Sequence, residues 1–326
     1  MVDALTTSET GIERRLKVAV LIPCLNEAAG IATVVQGFRD ALPDATVYVY
    51  DNASTDDTSA VAQRAGAQVR REPMRGKGNV VRRMFADVEA DVYVMADGDG
   101  TYDAASAPKM VAMLCEQQLD MICGKRIDTE QEAYRHGHRL GNRVLTGLVA
   151  NLFGDSVTDI LSGYRVMSRR FVKSFPALSK GFEIETELTV HALDLRVPIA
   201  EVPTPYGARA QGSASKLNTY RDGWRILKTI AKLVKEERPF AFFFSGGALL
   251  ALLSVILATP VVLEFLRTGL VLRVPTAVLA TGIMLVAVMS FVCGLILDTV
   301  TRGRRELKRM HYLLHGSQVA GRLRKP

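Results

Sequence analysis

The sequence predicts an α/β domain on a mostly parallel, doubly wound sheet, followed by an amphipathic helix and a two-helix apolar hairpin. Three observations carry this. From residue 17 onward, short β-branched runs alternate with segments of helical periodicity. The apolar run 91–96 ends in the acidic turn Asp97-Gly98-Asp99-Gly100, as a buried strand does when its carboxyl end faces a ligand crevice. Residues 241–263 and 274–297 contain no charged side chain, and each run meets the roughly 20 residues a helix needs to cross a bilayer.

Taken in order, residues 1–16 are a polar tail without the apolar core of a secretory signal, so the domain that follows is expected in the cytosol. Residues 17–22 form a first strand ended by Pro23, and the loop 23–27 leads into a helix over 28–40. A second strand, 46–50, ends in Asp51 and the acids that cap a helix running to Arg64. A short strand, 68–70, precedes Arg75-Gly76-Lys77-Gly78, a helix to Val88 and the central strand. Further on, 184–195 reads as a helix with His191 in its packing.

Loops 23–27, 51–58 and 97–100 thus gather at one sheet edge. Asp51 suits a pyrimidine N–H, Pro23 and Leu25 offer an apolar wall to a base, and Glu27 and Asp97 accept from ribose hydroxyls or base. Asp97 and Asp99 are hard oxygen donors for Mg²⁺ or Mn²⁺, ions that take a diphosphate as a further partner. Glycine at 98 and 100 permits close approach of a nucleotide. Other readings fail on the residues. Tyr102 and Pro108 stand where a calcium loop needs glycine and glutamate. No glycine fingerprint of a dinucleotide fold follows the first strand, and residues 75–78 lack the flanking residues of a P-loop.

Composition agrees. With 48% hydrophobic and 23% charged residues the chain is more apolar than a soluble domain needs, and the excess lies in the two charge-free runs. The four cysteines lack metal or disulfide spacing. The net charge of +7 crowds beside the apolar runs, which points to anionic lipid headgroups and away from nucleic acid. In 220–238, Tyr220, Trp224, Leu227, Ile230, Ala231 and Val234 share a helical face beside a stripe of Arg221, Arg225, Lys228, Lys232 and Lys235, the pattern of an interfacial helix. Arg302, Arg304, Arg305, Lys308 and Arg309 follow the second run, so both flanks are expected to be cytoplasmic, with 264–273 an outer turn. The protein would then be integral to the inner membrane, and its hairpin leaves helix surface for a homo-oligomer.

Eight motifs fall in register with one family: residues 23–27, 51–58, 75–78, 97–100, 124–126 (GKR), 159–165 (DILSGYR), 181–185 (GFEIE) and 209–216 (RAQGSASK). The chain resembles glycosyltransferase family 2, of GT-A (Rossmann-like) fold, and within it the polyprenyl-phosphate glycosyltransferases related to dolichol-phosphate mannose synthase, in their bacterial two-span subset. The resemblance implies that Pro23, Leu25, Glu27, Asp51 and Lys77 line base and ribose, and that Asp97, with Gly98, and Asp99 handle nucleotide and divalent metal. It also implies that Arg126 and Arg135 meet an acceptor phosphate and that Arg209 and Lys216 belong to a loop over the diphosphate. Many relatives place a glutamine metal ligand where this chain has Thr101, a hydroxyl donor. Asp159 stands where other members keep a catalytic base; here it accepts a proton, orients an arginine or contacts the sugar.

The expected division is a tail (1–16), a GT-A domain (17–216), a juxtamembrane helix (217–239), a two-span hairpin (240–298) and a basic cytoplasmic tail (299–326). The expected activity is inverting transfer of one sugar from a UDP-sugar, UDP-glucose first, to undecaprenyl phosphate or a similar polyprenyl phosphate. A dianionic lipid phosphate hardly needs a general base but does need cations to hold it. The competing readings are a processive polysaccharide synthase and a membrane-anchored nucleotide-sugar sensor or scaffold.

Overall fold

A computed structural model of the chain describes residues 16–128, 147, 158–181, 183–207, 235 and 238–316. Strands β1 (Val18–Cys24), β2 (Thr46–Asp51), β3 (Gln68–Arg71) and β4 (Val92–Met95) run parallel in the order β3-β2-β1-β4. Beyond β4 the sheet continues with β5 (Met121–Asp128), β6 (Arg165–Ser168) and β7 (Ile199–Tyr206), placed in the order β6-β5-β7. β6 is antiparallel to both neighbours, and β7 is parallel to β5. Among the described residues, six of the seven strands therefore point one way.

Helices α1 (Ile31–Ala41), α2 (Thr58–Arg64), α3 (Lys77–Asp87), α4 (Ala107–Glu116), α5 (Arg169–Ser174) and α6 (Ile184–Leu195) cover the sheet. Because side chains alternate along a strand, each face has its own core. Leu21, Tyr50, Tyr93 and Met95 face Val81, Met84, Phe171 and Leu188. Val20, Ile22, Val49 and Val94 face Ile31, Val35, Phe38 and Met110. In α1 the buried residues 31, 34, 35 and 38 form one helical stripe.

The structure departs from the sequence expectation at several boundaries. β1 runs through Pro23 to Cys24, paired in register with Tyr50 and Asp51. Leu21 bonds toward β4 through its carbonyl and Cys24 toward β2, so by alternation the missing Pro23 N–H would face past the end of β4, and no ladder bond is lost. α1 starts at Ile31 and not near Ala28: residues 27–30 form a turn in which the Gly30 and Ile31 N–H groups both donate to the Glu27 carbonyl, at 3.1 and 3.0 Å, while the Ala28 N–H donates to Asp56 at 3.1 Å. β7 carries Pro203 and Pro205, which an edge strand tolerates.

α7 (Pro239–Thr268) and α8 (Val274–Leu314) are long and apolar enough to cross a membrane, and most of their apolar surface is exposed. They pack on small residues seven apart: Gly247, Ser254 and Val261 on one helix, Ala280, Ala287, Gly294 and Thr301 on the other. A Cβ on Gly294 would meet Phe243 Cβ at 3.1 Å, so the backbones approach closely. Through residue 314 the segment expected as a basic tail continues α8 and lies against α5 and α6. The expected interfacial helix falls almost wholly outside the described residues.

His191 packs as expected, 2% exposed, against the rings of Phe171 and Phe175, with Ser174 Oγ at 3.4 Å. Burial, and then the charge of Lys308, push its pKa down to about 3. An unfolded chain takes up this proton near pH ~6.5, so stability is lost as pH falls from there toward the folded value. Thermal unfolding in detergent should shift to lower temperature between pH 7 and 4.5, and His191→Leu should show a smaller shift.

Candidate active site

The three expected loops meet at the carboxyl edge of β1, β2 and β4, and hydrogen bonds stitch the first two together. The Asn26 N–H donates to Ser54 Oγ at 2.9 Å, and the Thr55 N–H donates to the Asn26 side chain at 2.8 Å. The Glu27 N–H donates to Thr58 Oγ1 at 2.9 Å. Asn52 fastens the next loop: its amide donates to the Glu72 and Met74 carbonyls at 3.0 and 2.8 Å and accepts from the Gly76 N–H at 2.7 Å. Asn26 and Asn52 are positioning residues that the sequence reading gave no role. Their signal was an asparagine in each motif, and Asn26 adopts the left-handed backbone that asparagine tolerates, φ 53°.

Asp51 is buried and accepts from the Ser54 N–H at 2.9 Å and Ser59 Oγ at 2.8 Å. Gly98 is demanded by the protein itself, since a Cβ there would lie 2.4 Å from Cys24 Sγ. The same cysteine reports the local field. Its thiol is pushed well up, first by burial and then by the charges of Glu27, Asp97, Asp51 and Asp99. Four acids named from the sequence thus converge on one strand end.

Lys77 lies at the start of α3 and is almost fully buried. It donates to Asp97 Oδ1 and sits 2.5 Å from Glu185 Oε1. Burial opposes its charge, but the two carboxylates more than reverse this and raise its pKa. Glu185 is raised by burial, with Lys77 acting against that. Sequence reasoning noted the motif around Glu185 but assigned the residue nothing; its partner is 108 positions away (185 − 77).

Asp99 Oδ1 accepts from the Thr101 hydroxyl at 2.7 Å and from its N–H at 3.2 Å. Thr101 is only 3% exposed, so its hydroxyl steers Asp99. Among the described residues no three His, Cys, Asp or Glu side chains form a closed metal set. The donors are hard oxygens in an acid-rich site, an open arrangement that suits Mg²⁺ or Mn²⁺ bound together with substrate phosphate.

A second cluster adjoins this turn. Arg126, on β5, forks onto Asp159, with Nε to Oδ2 at 2.8 Å and Nη2 to Oδ1 at 2.7 Å. Burial alone would raise the Asp159 carboxyl, but the hydrogen bonds and charge of Arg126 hold it below the usual range. Glu201 accepts from the Asp159 N–H at 2.9 Å and fixes this loop. Because β6 is antiparallel, the loop before it returns to the crevice edge, and the Gly163 N–H donates to the Tyr102 hydroxyl at 2.8 Å. A Cβ on Gly163 would lie 2.8 Å from Asp97 Oδ2. Arg126 also lies over the Tyr206 ring, 5.5 Å from its centroid, and Tyr206 contacts the Tyr102 ring. Tyr102 therefore joins the two halves, and burial pushes its hydroxyl pKa up, with Asp97 adding to this and Arg126 and Lys77 opposing it. Pro23 and Leu25 stand at the end of β1 and just past it. Arg135, Arg209 and Lys216 lie outside the described residues.

The model for glycosyl transferase family 2 matches residues 19–175. Over 298 residues the chain is 35% identical to the glycosyltransferase AglJ of Haloferax volcanii, spanning 91% of this chain and 98% of that protein. This chain belongs to glycosyltransferase family 2. Like other members of family 2 it is a sugar transferase. It is also 28% identical over 220 residues to a dolichyl-phosphate hexose transferase of Haloferax volcanii, covering 68% of this chain and 95% of the relative. Among solved structures, glucosyl-3-phosphoglycerate synthase of Mycobacterium tuberculosis, in complex with Mn²⁺, UDP and its glucosylated product, superposes with a TM-score of 0.55 at 27% identity, over 68% of this chain and 80% of that one. The same enzyme is also known with Mg²⁺ and UDP. The shared architecture is the GT-A sheet, and the long C-terminal helix pair follows it.

The buried Lys77 bridge generates a prediction. Lys77→Met leaves two neighbouring carboxylates uncompensated and should destabilise the domain by about 3–5 kcal/mol. Adding Glu185→Gln should recover part of the loss, and denaturant unfolding of the two variants measures both.

Proposed function

We propose that the protein transfers a single sugar, with inversion, from a UDP-sugar to a polyprenyl phosphate at the cytoplasmic face of the membrane. UDP-glucose and undecaprenyl phosphate are the first candidates. One observation carries the reading: the Arg126–Asp159 pair and the Lys77–Asp97 bridge flank one tyrosine, Tyr102, so a phosphate-binding cation adjoins the acidic nucleotide turn. The relatives support the substrate classes, since one is named for dolichyl phosphate and hexose and a solved neighbour holds UDP with a glucosyl product.

In this reading Pro23, Leu25, Glu27 and Asp51 receive the base and ribose. Asp97 and Asp99 would hold Mg²⁺ or Mn²⁺, which when bound would supply charge neutralisation for a diphosphate, and Thr101 orients Asp99. Lys77 keeps Asp97 in place and lessens the repulsion between the acid cluster and an anionic substrate. Asp159 orients Arg126, because a carboxylate forked by a guanidinium and held below its usual pKa is a weak proton acceptor. Arg126, with Arg135, grips the acceptor phosphate, and Arg209 and Lys216 cover the diphosphate. A phosphate oxygen attacks the anomeric carbon, the bond from that carbon to the UDP oxygen breaks, and UDP leaves with the electron pair. The second proton of a lipid phosphate is lost near pH ~6, so the nucleophile is already ionised.

α7 and α8 are read as a membrane hairpin with both flanks on the cytoplasmic side. The contacts of the α8 extension with α5 and α6 support that orientation, since they put its last turns beside the transferase domain.

Purified protein with Mg²⁺, labelled UDP-sugars and polyprenyl phosphate should yield label in a one-sugar lipid. A long water-soluble polymer would point to a processive synthase, and binding without turnover to a sensor. Asp99→Asn should lower transfer by more than about a hundredfold, and Arg126→Ala should raise the KM for lipid phosphate about tenfold with UDP affinity little changed. The acid limb of the rate profile should follow the lipid phosphate near pH ~6, with no inflection from Asp159 between pH 5 and 8.

A further inference from the structure

The α8 extension meets the transferase domain through two buried acids. Asp194, in the last turn of α6, has a side chain 2% exposed. Arg305 Nε lies 2.6 Å from Asp194 Oδ1 as an ion pair without hydrogen-bond alignment, and Lys308 Nζ donates to Oδ2 at 3.2 Å. Asp120 is fully buried and accepts from Tyr312 at 2.8 Å, from Ser168 at 2.6 Å and from both arms of Arg170. Arg170 lies over the Tyr312 ring, 4.9 Å from its centroid.

An aspartate at a helix C-terminus faces the negative end of the helix dipole and gains nothing from its own helix. Buried as well, Asp194 needs cations, and α8 supplies two. Residues 305, 308 and 312 recur at helical spacing on one face. With 1.5 Å of rise per residue, Arg305 stands ~12 Å and Tyr312 ~22 Å beyond Leu297, where the apolar run ends. α6 completes the connection, because Glu185 near its start holds Lys77 and Asp194 near its end holds α8.

We propose that Asp194 with Arg305 and Lys308, assisted by Asp120 with Tyr312, form a clamp that fixes the height of the active site above the bilayer and so selects an acceptor phosphate presented at a membrane surface. These are positioning residues, acting through α6 and not on substrate. The inference rests on the membrane and transferase readings above, and its test separates the three.

The test compares the full-length protein, Arg305→Glu/Lys308→Glu, and that variant with Asp194→Lys added, in vesicles with polyprenyl phosphate and in detergent with a short soluble prenyl phosphate. In the double variant kcat/KM for the vesicle acceptor should fall about tenfold while the soluble acceptor and the UDP-sugar Kd stay within about twofold. The triple variant should regain most of the loss, because the ion pair returns with its charges exchanged. Hydrogen exchange at the α6 C-terminus should rise in the double variant and fall again in the triple one, which reads docking without activity. Unchanged exchange, an equal fall for both acceptors, or no rescue would overturn the clamp. Absence of transfer by the unaltered protein to either acceptor would overturn the acceptor half along with the transferase reading, while exchange still decides the docking half. An unaltered protein that is not retained by vesicles would overturn the membrane reading on which the clamp's height rests.

Discussion

The buried ammonium of Lys77 is the interaction on which the rest of the site depends. It lies between Asp97, at the end of the central strand, and Glu185, at the start of α6, and each carboxylate belongs to a different part of the chain. Without that cation the acids at this sheet edge would repel one another in a region of low polarisability. With it, the acidic turn is held to α3 and α6 and the crevice keeps its shape.

Around that bridge the fold uses further polar side chains, neutral and charged, to set the charged ones. Asn26 and Asn52 join loops that would otherwise splay, Thr101 steers Asp99, and Glu201 fixes the backbone before Asp159. Arg165, wholly buried, donates to the carbonyls of Ser162, Ile160 and Glu185 and to the Thr189 hydroxyl, and so ties the loop before β6 to α6. Satisfied networks of this kind hold catalytic groups in place because a buried polar group left without a partner costs more than a typical hydrogen bond contributes.

The arrangement also explains how one sheet brings two groups of loops to a single edge. The parallel strands present loops 23–27, 51–58 and 97–100 at their carboxyl ends, where α/β sheets commonly bind ligands. The antiparallel strand β6 turns the chain back so that the segment before it, with Asp159, reaches the same edge. Tyr102 and Gly163 then bring the two sides into contact.

By itself the sequence determined the alternation of strands and helices, the three acid-bearing loops, the span of α6 and the two apolar runs, since these follow from local periodicity and from residues close together in the chain. It did not reveal that β1 continues through Pro23, because only the neighbouring strands show that no donor is lost there. Nor did it reveal the antiparallel β6, the pairing of Glu185 with Lys77, which of three expected roles Asp159 takes and that Arg126 is the arginine it forks, or the docking of the α8 extension on Asp194 and Asp120. Each of those joins residues tens to more than a hundred positions apart, and the energy of a buried charge is set by which partner the folded chain brings beside it, a quantity that no local pattern encodes.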